Sequence, residues 1–550
     1  MKEQLNRLLS KDRSSQFRVF FVIGTALFVL LYLWANFFNR QVFNLDMYSD
    51  AQVAKLMWEQ KTLFPENWVF GNQLYVVASP VLSALFYGLC KDSILAMGLA
   101  STVMMGIQLA LFVWMLRPYV EKTSSEAGLY AIGGAVILGT SVCNCTNGMQ
   151  LLYTMASYYA CYMIGLLLCL GVYLRLKEGT KVNIAAIAAA LVMTFGLGMQ
   201  SVRETLVLIA PLIAAEVIVL IADGFEQRRN VKRTGFVLAL TGANVLGLIL
   251  SKSVPVVQNK AISGLALPTS FSELLSNMSE SFKFFVDITG LNYLHHSIKW
   301  KPLFLLALFI CTVSLFALCK AIISVVRKKR EPIAFLILFS ALSLCAVFAV
   351  GAFLGFRLRT IYYFVWFLLS SLSFVYALET IKGNALKSLV MLGLLGCGAV
   401  NLFYNAYPDF VQHKAQQELF YSSAQKLEAA GIDCTYVEYT TYGSSAIAAC
   451  SGDKIDSAII RLVSDPEMGY CFKAYPHLVD MSLFEEERKE NAVVILTDAH
   501  MIGTSSFATL DSYPGSREMI DEKLELMSVE GNEYFDLYIY KIKDPSAIIP

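Results

Sequence analysis

The sequence predicts an all-α polytopic membrane domain over residues 1–405, with about 11–12 transmembrane helices, followed by a small extracytoplasmic α/β domain over 406–550. Three observations predict it. Of the 550 residues 56% are hydrophobic, and the mean hydropathy is +0.55. Only 16% are charged, against roughly 25% in an ordinary soluble domain. The apolar residues come in blocks long enough to cross a bilayer, until the chain turns into an ordinary polar mixture at Ala406. This composition excludes a soluble globular enzyme, a disordered chain and a fibrous one. A net charge of +1 provides no field for nucleic acid.

The N-terminus carries Lys2, Arg7, Lys11, Arg13 and Arg18 ahead of an apolar run from Val19 to Phe38. That run is too long for a signal-peptide core and no small-residue cleavage site follows, so it reads as a retained anchor with a cytoplasmic N-terminus. Further blocks lie near 75–90, 95–116, 127–142, 150–174, 183–202, 205–222, 234–250, 302–323, 332–354, 360–378 and 386–404. The basic clusters Arg175/Lys177/Lys181, Arg228/Arg229/Lys232/Arg233, Arg327/Lys328/Lys329/Arg330 and Lys382/Lys387 are each separated by two blocks, which places all of them on the cytoplasmic face. Counting every block gives twelve crossings and contradicts that placement. Omitting 75–90, which is short, contains Pro80 and ends at Lys91-Asp92, gives eleven crossings and an external tail; the omitted block is then re-entrant or interfacial. A multi-pass protein of a bacterial plasma membrane is the expected setting. In the tail the pattern predicts a helix at 412–430 ended by Gly431, a strand at 434–440, a helix-like stretch at 453–463, and strands at 492–497 and 534–542.

Nine of the twelve cysteines sit in or beside apolar blocks, where Cys acts as a small hydrophobe. Cys143 and Cys145 have no neighbouring partners to complete a metal site. Cys434, Cys450 and Cys471 lie in polar sequence and allow one disulfide at most.

The loop after the first block is the richest in chemistry. Asp46 and Asp50 are four apart, so they share a face if the segment is helical. A carboxylate at a membrane surface suits a general base, or a ligand for a divalent cation. Trp58, Trp68 and Tyr75 suit the membrane interface. The competing reading is a solvated loop, and composition alone favours it. Arg203, Arg357 and Arg359 lie at predicted outer helix ends, where arginine suits phosphate; the alternatives are snorkelling to lipid headgroups, or pairing of Arg203 with Glu204. His295 and His296 stand in the long loop 251–301 and would hold an anion or act as an acid, or form a plain polar pair. Glu216 is the one acid deep in a helical block and would pair with a base or carry a proton. No nucleotide, zinc or Ser-His-Asp signature stands out.

The order of parts resembles the GT-C class of integral-membrane glycosyltransferases. The resemblance is carried by Asp46/Asp50 after the first helix, followed by Leu63-Phe-Pro65, Trp68, Gly71, Tyr75, Pro80 and Leu85-Phe-Tyr87. It continues with Gly196-Leu-Gly198, Ser201-Val-Arg203 and Pro211, the loop 251–301, and Gly355-Phe-Arg357-Leu-Arg359-Thr-Ile-Tyr362-Tyr363. It covers residues 1–405; the tail matches in placement only. It implies a hexosyl transfer from a polyprenyl-phosphate-linked sugar to a glycan, lipid or protein acceptor on the external face. Asp50, or else Asp46, would be the base. Arg203, Arg357 and Arg359 would hold the lipid phosphate, with His295 and His296 in support. No metal ligands are assigned, and a divalent cation stands as an optional cofactor. The implied partners are the lipid-linked donor, membrane lipid and the acceptor, with no nucleic acid. Many members carry an adjacent acidic pair where this chain has Ser49-Asp50-Ala51, so the choice between the two aspartates stays open. Rival readings are a polysaccharide polymerase or ligase, a transporter or flippase of lipid-linked sugars, and a non-catalytic membrane scaffold.

Overall fold

The computed structural model describes residues 45–123, 159–223, 228–258, 267–327, 331–354, 359–380, 383–401, 407–438, 445–465, 469–499 and 516–550, with six single positions between 26 and 37. The anchor run 19–38 and the blocks at 127–142 and 150–158 therefore lie largely or wholly outside the described residues, as does Arg357.

The chain divides into two compact units that are interleaved in sequence. A membrane unit comprises 1–36, 102–253 and 263–408. A sheet unit comprises 37–101, 254–262 and 409–550. The described part of the first polar loop, from Leu45 on, thus belongs to the same unit as the C-terminal tail.

Among the described residues six helices are long and apolar enough to cross a membrane: Ser93–Leu116, Ala160–Glu178, Val231–Ser251, Ile298–Val326, Pro332–Phe353 and Thr360–Leu378. Leucine, valine, alanine and phenylalanine dominate them, and apolar side chains such as Leu238, Leu305, Leu315 and Phe316 stand exposed on their outer faces. Those faces need lipid rather than water, and the protein is a membrane protein. The block expected at 75–90 becomes a helix of 12 residues, Ser79–Cys90, with Pro80 in its first turn. At 1.5 Å per residue it spans about 18 Å, short of the roughly 30 Å hydrocarbon core.

Within the membrane unit, small residues let helices meet backbone to backbone. A Cβ on Gly198 would lie 2.4 Å from the Asn244 carbonyl oxygen, and one on Gly247 would lie 2.3 Å from that of Phe195. The helices Ile184–Gln200 and Arg228–Ser251 touch through these glycines. Glu216, on the helix Ala210–Asp223, takes the pairing expected of it. Arg233 Nε donates to both its oxygens at 3.0 and 2.7 Å, Tyr173 donates from 2.5 Å and Thr234 from 2.6 Å. Tyr173 in turn stacks on Phe335 with ring centroids 4.6 Å apart.

The long loop 251–301 is not mainly loop. It holds a helix, Phe271–Thr289, whose N-cap Ser270 accepts from Glu273 N, while the Glu273 carboxylate accepts from Thr269 N and Oγ1. Ser270-Phe-Ser-Glu273 is the capping-box pattern, and it was readable in the sequence.

Among the described residues the sheet unit has ten strands: β1 Trp68–Phe70, β2 Val257–Gln258, β3 Cys434–Glu438, β4 Asp456–Asp465, β5 Gly469–Ala474, β6 Val479–Asp480, β7 Ala492–Ala499, β8 Leu524–Gly531, β9 Phe535–Ile542 and β10 Ile548–Ile549. Seven form a mixed sheet in the order β10-β5-β4-β3-β7-β9-β8, and β2-β1-β6 form a smaller one. Central β3 pairs in parallel with β4 and β7 and is buried at all five residues, as a covered parallel strand should be. Tyr436, Ala458, Ile460, Phe472, Val494 and Leu496 make the core on one face. The expected helix and the strands beginning at 434, 492 and 534 are present as Tyr407–Ala429, β3, β7 and β9. The helix-like reading of 453–463 is corrected to strand β4. Gly452 and Asp453 both turn through the left-handed region, at φ +67° and +65°, which no helix tolerates in succession. Ile459, Ile460 and Val463 then favour the extended chain.

Candidate functional site

Asp50 lies on the helix Leu45–Glu59, which puts it one turn after Asp46 on the same face. The residues around it, Met47, Tyr48, Ala51, Val53 and Ala54, are all buried. Gly88 makes room for the Trp58 ring, with an added Cβ only 2.5 Å from it, so the helix Ser79–Cys90 packs closely on this one. The result is a carboxyl with 0% exposure. The Tyr75 hydroxyl donates to Asp50 Oδ1 at 2.5 Å. Oδ2 is buried and has no hydrogen-bond partner among the described residues. Burial raises the Asp50 pKa well above the usual carboxylate range; the Tyr75 hydrogen bond opposes that rise, and the nearby Asp46 adds to it. Asp46 itself is half-buried.

A buried carboxylate with one oxygen held and the other bare can take a proton or accept a hydrogen bond on the bare oxygen. Tyr75→Phe removes the hydrogen bond that favours the ionised form. Asp50 is then expected to lose its proton at still higher pH, read as the pH dependence of Tm against wild type, with an unmoved dependence counting against the coupling.

Trp68 and Tyr75, expected at a membrane interface, are instead buried inside the sheet unit at 4% and 0% exposure. Trp68 is in β1, which pairs with β6 and β2, and Tyr75 packs on Phe70 with centroids 5.8 Å apart. The Tyr75 hydroxyl reaches the Asp50 carboxyl, whereas the Trp68 indole Nε1 is buried with no hydrogen-bond partner among the described residues. The contact of Tyr75 with Asp50 is what the sequence did not reveal. The two are 25 positions apart, and no local pattern connects them.

The cationic candidates belong to the membrane unit. Arg203 is half-buried at the start of a helix that opens with a five-residue π-helical turn, Thr205–Ile209. Its guanidinium carbon stands 5.5 Å from the Tyr159 ring centroid and 5.3 Å from that of Tyr362, close enough for both rings to orient it. Tyr362 N donates to the Arg359 carbonyl at 2.9 Å, so Arg203 and Arg359 reach one neighbourhood although 156 positions separate them in sequence. The Arg359 side chain is exposed. The expected pairing of Arg203 with Glu204 is not made by hydrogen bonding: Glu204 is fully buried, and neither of its oxygens has a hydrogen-bond partner among the described residues. His296 packs against Tyr293 and Trp300, with centroids at 5.2 and 6.2 Å, while His295 is exposed. Asp287, half-buried nearby, has its pKa raised by burial, against the lowering effect of Lys283 and His296. Arg357 lies outside the described residues.

Among the described residues no three His, Cys, Asp or Glu side chains converge as metal ligands would. Asp46 and Asp50 make a pair of carboxylates without a third among the described residues.

No protein-family model matches the chain, and no curated protein matches it. Among solved structures it is similar to the crystal structure of ArnT from Cupriavidus metallidurans in the apo state, with a TM-score of 0.51 and 9% identity, covering 96% of this chain and 98% of that one. The structure of the same protein bound to undecaprenyl phosphate gives a TM-score of 0.49 and 10% identity, over 95% and 98% of the two chains. At such identities the likeness is one of fold: a mostly helical membrane protein with a C-terminal β-sheet domain.

Proposed function

We propose that this chain is a membrane glycosyltransferase that moves a hexose from a polyprenyl-phosphate donor to a glycan, lipid or protein acceptor, with Asp50 as general base. The observation that carries the reading is the Asp50 carboxyl, fully buried, held on one oxygen by Tyr75 and bare on the other. The fold is compatible with it: the likeness to ArnT runs over 96% of this chain, and the sequence resemblance to the GT-C class supplies the reaction. The external face and a bacterial plasma membrane complete the proposal.

The chemistry needs little more. The acceptor hydroxyl gives its proton to Asp50 as its oxygen bonds to the anomeric carbon. The bond from that carbon to the phosphate oxygen breaks, and the electron pair leaves with the polyprenyl phosphate. A single displacement of this kind inverts the anomeric centre. Arg203 and Arg359, with Arg357, take the phosphate, and guanidinium charge offsets the charge that grows on it. His295 and His296 are assigned to the same donor end. Asp46 raises the basicity of Asp50 by its like charge, and is the reserve candidate for base.

Release of polyprenyl phosphate from a panel of polyprenyl-phosphate sugars tests this, using the full chain in nanodiscs with and without a chelator. Loss of release in Asp50→Asn with the fold intact supports the reading. Equal release by wild type, Asp50→Asn and Asp46→Asn removes both aspartates from catalysis. Arg203→Ala is expected to lower kcat/KM for the donor about 10- to 100-fold, the worth of a hydrogen bond to a charged group. Titrating the donor checks this, and an unchanged kcat/KM assigns Arg203 to its aromatic neighbours alone.

A further inference from the structure

The tail approaches the Asp50 helix through an unusual turn. After the short helix Ala446–Cys450 the chain passes through Gly452 and then Asp453, both left-handed. A non-glycine residue there is uncommon, and Asp and Asn are the side chains that accept it most readily. The turn delivers the Asp453 carboxyl to two segments at once. Gln52 Nε2 donates to Oδ1 at 3.0 Å, and Ser93 Oγ lies 2.9 Å from Oδ1 and 2.7 Å from Oδ2. Lys55 Nζ donates to the Asp453 main-chain carbonyl at 3.1 Å and lies 3.8 Å from the Asp456 carboxylate.

Gln52 and Lys55 are two and five positions past Asp50 on the same helix. The residues just before Asp50 are held by the tail as well. Ser49 Oγ is 3.2 Å from Ser445 Oγ, Gln417 donates to the Tyr48 hydroxyl at 3.1 Å, and the Tyr48 ring meets Phe420 edge-on at 6.2 Å. All these residues belong to the sheet unit. A helix gripped on both sides of one residue cannot rotate about its axis without breaking several of these contacts. Its rotation decides where the bare Oδ2 of Asp50 points.

We propose that Asp453 is a positioning residue for the base. By clasping Gln52, Ser93 and, through its main chain, Lys55, it sets the rotation of the Leu45–Glu59 helix and so aims the Asp50 carboxyl. This rests on Asp50 being the base. It gives the C-terminal sheet a role in turnover itself, since a carboxylate misplaced by about 1 Å forfeits up to about a hundredfold in rate.

The test uses the full chain in nanodiscs, with Asp453→Ala, Asp453→Asn and Asp50→Asn made in parallel. Amide hydrogen exchange across residues 46–58 is measured first and needs no substrate. Asp453→Ala is expected to speed exchange there about tenfold or more, consistent with loosening of one local unit, while β3 and β7 keep their protection. Turnover follows: Asp453→Ala is expected to lower kcat about 10- to 100-fold with the donor KM unchanged. Asp453→Asn keeps an acceptor oxygen and tolerates the left-handed φ, and is expected to recover most of the loss. Unchanged exchange across 46–58 in Asp453→Ala overturns the proposal. So does a wild-type kcat in Asp453→Ala when Asp50→Asn is inactive, and so does a fall in kcat that merely tracks the folded fraction. Full activity in Asp50→Asn overturns the base reading itself, and is told apart by that variant alone.

Discussion

Asp50→Asn is expected to cut turnover by about 10²–10⁴-fold, the usual worth of a positioned general base, and at the same time to make the protein more stable at neutral and higher pH. The two effects have one cause. An ionised carboxylate inside the sheet unit has lost its water and keeps one hydrogen bond, from Tyr75. The folded chain therefore ionises Asp50 well above the ordinary carboxylate range, whereas the unfolded chain ionises it near about 4. Between those values the native state holds a proton that the unfolded state has lost. The contribution of Asp50 to stability thus falls as pH rises through that window, and stays low above it. Asparagine has no such window, so its advantage in Tm should appear on raising the pH and be absent at acid pH. Activity runs the opposite way: kcat/KM in the wild type rises with pH as Asp50 loses its proton. Thermal melts and rate profiles over the same pH series check both. A variant that is inactive yet gains no stability at high pH would show that burial of the charge is not what sets this site.

The second large effect is in the membrane unit and concerns folding alone. Glu216→Ala is expected to destabilise the protein by about 3–5 kcal/mol, because it leaves the buried Arg233 guanidinium without its carboxylate. The side chains of this pair are only 2% and 4% exposed, and Tyr173 and Thr234 lose their acceptor with it. The double change Glu216→Leu with Arg233→Met removes both charges and keeps the volume apolar, and is expected to recover much of the loss. Thermal unfolding of the three variants in detergent measures this. A single variant that melts with wild type would mean that water or lipid reaches Arg233.

Much of the fold was legible in the chain because the solvent writes it there. A bilayer demands runs of apolar residues of a set length, and blocks such as 332–354 answer that demand in composition alone; the helix is Pro332–Phe353. Gly431 marks the end of a helix in the sequence, and at φ +75° it does so in the structure. The 453–463 stretch reads as helix-like in sequence because Asp-Ser-Ala-Ile-Ile-Arg-Leu has no clean period. Only pairing with β3 and β5 makes it a strand. The helix in loop 251–301 is announced in the sequence only by the Ser270-Phe-Ser-Glu273 pattern at its start.

For the candidate site, the sequence by itself determined which groups are available. It placed two aspartates one turn apart and arginines at the ends of apolar helices. What it could not hold is burial and partnership, which are properties of segments far apart in the chain. Asp50 is a solvated acid or a base with a raised pKa according to whether Tyr75 and the segments packed on its helix bury it, and the tail contacts of that helix lie nearly 400 positions away, as for Ser49 with Ser445. A carboxyl's chemistry follows its desolvation and its hydrogen bonds. Those are decided only when the sheet folds against the first loop.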